Sequence, residues 1–140
     1  MPEDMIRKRI EDWTDALRRR DIEAVMSACA PDIVSFDIVS SLRYGGAGNK
    51  RRAWLDAFAA YDGPIGYKVH ELDVTAQGDL AFAHSLNRVS GTLASGHAST
   101  LWLRWTACFR RISGNWLIVH DHASIPAELE DGRALTSLVP

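Results

Sequence analysis

The second half of the chain is a set of long, β-branched and aromatic segments cut by three short turn signals. That pattern constrains the fold more than any other feature of the sequence. The cuts are Gln77-Gly78-Asp79, the stretch from Gly91 to Gly96, and Ser113-Gly114-Asn115. Between them the spacing predicts strands at about 65–75, 79–92, 99–111 and 115–123. Long strands joined by short turns pair antiparallel, so a meander is expected. The first half has helical periodicity instead. Ile6, Ile10, Trp13 and Leu17 fall at i, i+4, i+7 and i+11, one face of a helix over about 3–19. Asp21 reads as the N-cap of a short second helix, DIEAVMSACA, which Pro31 stops. DIVSFDIVS predicts a strand at about 33–39 and YGGAG a loop. A third helix follows, with Trp54, Leu55, Phe58 and Tyr61 on its inner side, and the DGP at 62–64 ends it. Helices first and then a run of strands is the α+β pattern, helices packed on one face of an antiparallel sheet. A long curved sheet wrapped around three N-terminal helices makes a cone with an opening, the usual place for a ligand.

Composition narrows the classes. At 140 residues one domain is expected. The net charge is −2. The basic runs Arg7-Lys8-Arg9 and Arg18-Arg19-Arg20 are interleaved with acidic residues, so they read as solvated helix faces rather than a nucleic-acid surface; Lys50-Arg51-Arg52 is a third basic run. No apolar stretch approaches the roughly 18 residues of a membrane span, and MPEDMIRKRI lacks the apolar core of a signal peptide. Cys29 and Cys108 are lone thiols without metal spacing, which fits a reducing, cytoplasmic setting.

The most suggestive stretch is NWLIVHDHAS at 115–124. In a regular strand, Trp116, Ile118, His120 and His122 share one face, and Leu117, Val119, Asp121 and Ala123 the other. Two histidines at i and i+2 sit roughly 6.8 Å apart along a strand. They could converge on zinc, which takes three or four ligands. The remaining histidines, His70, His84 and His97, have no metal spacing, so a structural role for the pair is the expectation and no metal or other cofactor is assigned.

Three stretches resemble the nuclear transport factor 2-like superfamily, which includes ketosteroid isomerases, SnoaL-like polyketide cyclases and the association domain of calcium/calmodulin-dependent kinase II. RRRDIEAVMSACAPDIVSFD resembles its helix–helix–strand opening, LAFAHSLNRVSGT its third long strand, and WLRWTACFRRISGNWLIVHDHASIP its last hairpin, closest to the SnoaL-like group. The similarity covers one domain, residues 5–126, followed by a polar tail at 127–140. It implies a cystatin-like α+β cone.

The resemblance also implies site residues. It sets Asp121 on the concave face, with Arg88 as its cation and His84 beside it on the strand at 79–92. An arginine matching Arg88 lines the pocket of the kinase association domain. Asp37, in VSFDIV, matches the general base of ketosteroid isomerases. That chemistry needs a carboxylate in an apolar pocket and acidic donors for the enolate oxygen. The donor positions carry Trp13 and Trp105 here, so steroid isomerisation by that route is not expected. A flat, hydrophobic ligand is expected instead, against Trp13, Trp105, Tyr44, Phe58 and Val119.

Two functional readings follow. One is an acid–base enzyme, isomerase-like or cyclase-like, acting on a small hydrophobic carbonyl compound with Asp37 as base and with Asp121 and His84 in support. The other is a non-catalytic domain binding a small carboxylate through Arg88. A third possibility is a metal-assisted hydrolase using His120 and His122. A homodimer is expected through the outer sheet face, with Trp102, Thr106, Trp116, Ile118, His120 and His122 in the interface. Neither a nucleic acid nor a membrane is expected as partner.

Overall fold

A computed structural model describes residues 1–140. The element order is α1 (Pro2–Arg19), α2 (Ile22–Met26), β1 (Cys29–Phe36), β2 (Tyr44–Gly45), α3 (Ala47–Ala59), β3 (Tyr61–Gln77), β4 (Leu80–Leu93), β5 (Ala98–Ile112) and β6 (Asn115–Ser124). The helix α1 starts with a proline and two acidic residues, Glu3 and Asp4, and ends with Arg18 and Arg19, the order its dipole favours. Its apolar stripe of Ile6, Ile10, Trp13 and Leu17 is buried. Asp21 caps α2 as expected, its carboxylate accepting from the Ala24 amide at 3.1 Å.

The six strands form one sheet in the order β2-β1-β6-β5-β4-β3. The last four strands are the expected antiparallel meander. β1 departs from it by pairing parallel to β6, with Val34 opposite His120 and Ser35 opposite Asp121. Three boundaries move. α2 ends at Met26, and β1 begins before Pro31. The proline is tolerated because it lies where the β1–β6 register shifts between Cys29 and Val34, so no ladder bond is required of it. β3 begins at Tyr61 and runs through the Asp62-Gly63-Pro64 stretch as an irregularity in the ladder. Arg20 secures this corner: its guanidinium donates to the carbonyls of Phe58 at 2.9 Å, Tyr61 at 3.1 Å and Gly63. Leu55, expected on the inner side of α3, is exposed.

The helices fill the concave side of the sheet. There β4 presents Ala81, Ala83, Ser85, Asn87 and Val89, and β5 presents Leu103, Trp105, Ala107 and Phe109. At the base of the cone the small residues Ala81, Ala83 and Ala107 share the core with Ile6 and Ile10. Toward the open end the sheet outruns the helices and a cavity remains.

Candidate functional site

The cavity holds about 450 Å³ and has 24 lining residues, 19 of them hydrophobic. Trp13 and Trp105 form its aromatic floor, stacked with centroids 4.8 Å apart and planes 4° from parallel. Tyr67 and Trp54 meet Trp13 edge-on at 5.5 and 5.9 Å. Phe58, Tyr61, Ile65, Val89, Leu101 and Leu103 complete the apolar wall. Tyr61 is admitted there because Gly91 stands behind it; a Cβ at Gly91 would lie 2.8 Å from the Tyr61 ring.

The polar end of the cavity is built by three elements. From the end of β1 comes Asp37, from the first turn of α3 Lys50, and from β6 Asp121. Lys50 Nζ lies 3.5 Å from Asp37 Oδ2 and 3.9 Å from Asp121 Oδ1, and 5.3 Å from the centre of the Trp54 ring. Lys50 is only 3% exposed. A lysine so deeply buried is held by its carboxylates, since an unpaired buried charge is costly.

The two carboxylates have unequal surroundings. Asp121 has a 7% exposed side chain and is saturated with donors: the Ser35 hydroxyl donates to Oδ1, the Trp105 indole N–H to Oδ2 at 3.2 Å, and Lys50 stands alongside. Asp37 is 25% exposed. Its Oδ1 accepts from the Ile38 amide at 2.7 Å, and its Oδ2 has only the long contact to Lys50. Of these two carboxylates, Asp37 Oδ2 is therefore the oxygen with the least claim on it.

Two further groups lie close by. Burial pushes the Tyr67 phenol up, against the hydrogen bond it accepts from Asn87 at 2.9 Å. Burial, with the Asp121 charge next in size, pushes the Cys29 thiol up to about 12, so it is not a nucleophile at neutral pH.

Six of the expected residues line the cavity: Asp37, Asp121, Trp13, Trp105, Tyr44 and Phe58. Three do not. His84 and Arg88 sit on the convex face of β4. His84 is exposed opposite Asp73 and Thr106, and Arg88 lies opposite Lys68 and Trp102. The reason is that β4 turns its small residues inward, where the helices leave little room, and its large ones outward. No Arg88–Asp121 pair forms, and Lys50 is the cation instead. Val119 is the extra residue of a bulge in β6, where Phe109 pairs with Ile118 and Cys108 with His120.

That bulge resolves the face question for the whole stretch. Before it Trp116 and Ile118 point into the core, and after it Asp121 and Ala123 face the cavity. Trp116 and Ile118 are thus buried within the monomer and are not available to an interface on the outer face. His120 and His122 do lie on that face, flanking Phe36 at 4.8 and 5.4 Å. His120 Nδ1 bonds the Val34 carbonyl at 2.6 Å, and no third metal-binding group joins the pair.

Lys50 went unassigned in the sequence, although a signal was present. It stands four residues before Trp54 and eight before Phe58, on the same helical face. Its place in a run of three basic residues obscured this.

No helix is long and apolar enough to cross a membrane. The SnoaL-like domain profile matches residues 6–128. No curated protein matches the chain. Among solved structures, an NTF2-like protein of unknown function from Pseudomonas putida KT2440 is 35% identical, with a TM-score of 0.91 over 99% of this chain and 96% of that one. A ketosteroid isomerase-like protein from Erwinia carotovora atroseptica SCRI1043 is 21% identical, with a TM-score of 0.75 over 87% and 94%. A nuclear transport factor 2 superfamily protein from Salmonella enterica is 15% identical, with a TM-score of 0.80 over 90% and 92%. The last two share the fold. With its cone, its cavity and the match along nearly all of its length, the chain belongs to the SnoaL-like family of the nuclear transport factor 2-like superfamily.

Proposed function

We propose that this protein is a small-molecule pocket protein carrying out acid–base chemistry on a neutral, hydrophobic carbonyl compound, with Asp37 as the general base. The observation that carries this reading is the juxtaposition of Asp37 and Lys50, 3.5 Å apart, at the polar end of an otherwise apolar cavity. Taking a proton from the carbon beside a carbonyl builds negative charge on the carbonyl oxygen. A fixed ammonium in a low-dielectric site offsets that charge far better than it would in water. Asp121, saturated with donors, anchors Lys50. The stacked tryptophans give a flat ligand a surface to lie on.

The charge inventory selects the ligand class. The ionisable groups lining the cavity, apart from tyrosine, are Asp37, Asp56, Asp121 and the single cation Lys50. A carboxylate ligand would meet more negative than positive charge, so a neutral compound is favoured over the small acid expected at Arg88. The test is deuterium incorporation at the α-carbon of 2-tetralone in D₂O, followed by proton NMR. General-base catalysis contributes about 10²–10⁴-fold, so Asp37→Asn is expected to slow exchange by at least a hundredfold. Equal rates in the two proteins would remove Asp37 from the role, and saturable binding without exchange would favour a non-catalytic pocket.

A homodimer through the outer sheet face is proposed as well. The exposed apolar side chains Val34, Leu80 and Phe82 support it, in the neighbourhood of His120, His122 and Thr106. Sedimentation velocity at micromolar concentration is expected to give a dimer; a monomer throughout would contradict it.

A further inference from the structure

We propose that Lys50 acts as a nucleophile as well as a cation, its Nζ forming an imine with a small hydrophobic aldehyde or ketone held in the cavity. The inference rests on the reading above that the cavity takes a neutral carbonyl compound. Four observations carry it. Lys50 lines the cavity while being 3% exposed, so an imine formed there is shielded from the water that would hydrolyse it. Its contacts with Asp37 and Asp121, 3.5 and 3.9 Å, exceed the roughly 2.7–2.9 Å of tight charge-assisted bonds, so the carboxylates position the nitrogen without engaging it in a short hydrogen bond. Asp37 Oδ2, its nearest partner, is also less engaged than either oxygen of Asp121, the other carboxylate beside it. The Trp54 ring, 5.3 Å from Nζ, gives the nitrogen an apolar wall against which a hydrophobic carbonyl compound can lie.

The step balances within these groups. Asp37 takes a proton from the Lys50 ammonium, and the freed lone pair forms the N–C bond as the carbonyl π pair moves to oxygen. The oxygen takes the proton held by Asp37 and a second one from the nitrogen, leaves as water, and the nitrogen lone pair closes the C=N bond. An ammonium and a carbonyl have become an iminium and water. The positive charge stays between Asp37 and Asp121, so the burial of those carboxylates is as well compensated after the step as before it. An iminium also acidifies the neighbouring C–H, which is the proton assigned to Asp37.

The test is reductive trapping of the folded protein with 3-phenylpropanal and sodium cyanoborohydride, followed by peptide mapping. The chain has three lysines, and Lys8 and Lys68 are exposed internal controls. Lys50 is expected to be labelled at least tenfold faster than Lys8 and Lys68, and Asp37→Asn is expected to slow Lys50 labelling tenfold while leaving the other two unchanged. Labelling of Lys50 no faster than the controls overturns the inference. Because the decisive reading is made on the wild-type chain, it does not depend on any variant folding. Deuterium uptake at the α-carbon of the same aldehyde separates the two claims. Uptake that depends on Asp37, without a Lys50 adduct, overturns the imine and leaves the base role standing. A Lys50 adduct without uptake supports the imine and removes the base.

Discussion

Replacing Lys50 by methionine isolates the cation at the polar end of the cavity. Methionine keeps most of the stem volume against Trp54 and removes only the charge and its donors. Removing one partner of a buried ion pair costs about 3–5 kcal/mol, because the other charge is left uncompensated. Here the burden falls unevenly. Asp37 is 25% exposed, so water relieves part of its loss, while the 7% exposed side chain of Asp121 keeps its bonds from Ser35 and Trp105. Both features place the cost at the low end, about 3 kcal/mol. Urea unfolding at pH 8, monitored by circular dichroism, is expected to show that loss with an unchanged m-value. A variant within 1 kcal/mol of wild type at pH 8 would refute the claim that this lysine compensates buried carboxylates.

Arg88→Ala is expected to leave the affinity for 2-tetralone within twofold of wild type by calorimetry, because Arg88 is on the convex face; a tenfold loss would return it to the site. Iodoacetamide at pH 8 is expected to spare Cys29, whose thiol is pushed up to about 12 by burial and then by Asp121; mass mapping of a fully alkylated Cys29 in the folded protein would contradict its burial. Alkali should destabilise the fold. Tyr67 and Cys29 are raised in the native state, so above about pH 9 the unfolded chain sheds protons that the folded one keeps, and stability, full below that pH, falls as the pH rises. Denaturant midpoints that stay flat from pH 8.5 to 11 would contradict this.

The elements were largely legible because each carries a local signal. The α1 stripe, the Asp21 cap and the turns at 78 and 113–114 act within a few residues. At the β5–β6 turn, Ser113 and Gly114 both adopt positive φ, the conformation of a tight hairpin. The faces of the strands were less legible. In β4 the bulky residues Phe82, His84, Leu86 and Arg88 look outward and the small ones inward, since the concave side is already occupied by α1. Composition alone suggests the opposite. In β6 the alternation breaks at Val119, where no glycine or proline marks the bulge, and a side chain before it and one after it obey different parity. Regular alternation sends Trp116 and Ile118 outward and Asp121 inward; the bulge leaves Asp121 at the cavity and turns Trp116 and Ile118 into the core. The partnership of Asp37, Lys50 and Asp121 joins residues far apart in the chain, and a buried lysine within a basic run gives no compositional hint of its burial.

The position of a bound neutral ketone tests the roles of Asp37 and Lys50 most directly. A crystal structure with 2-tetralone bound is expected to show the ring against Trp13 and Trp105, the carbonyl oxygen or its carbon at Lys50 Nζ, and the α-carbon facing Asp37 Oδ2. A ligand seated on the convex face near Arg88, or lying in the cavity with its carbonyl turned away from Lys50 and Asp37, would contradict it.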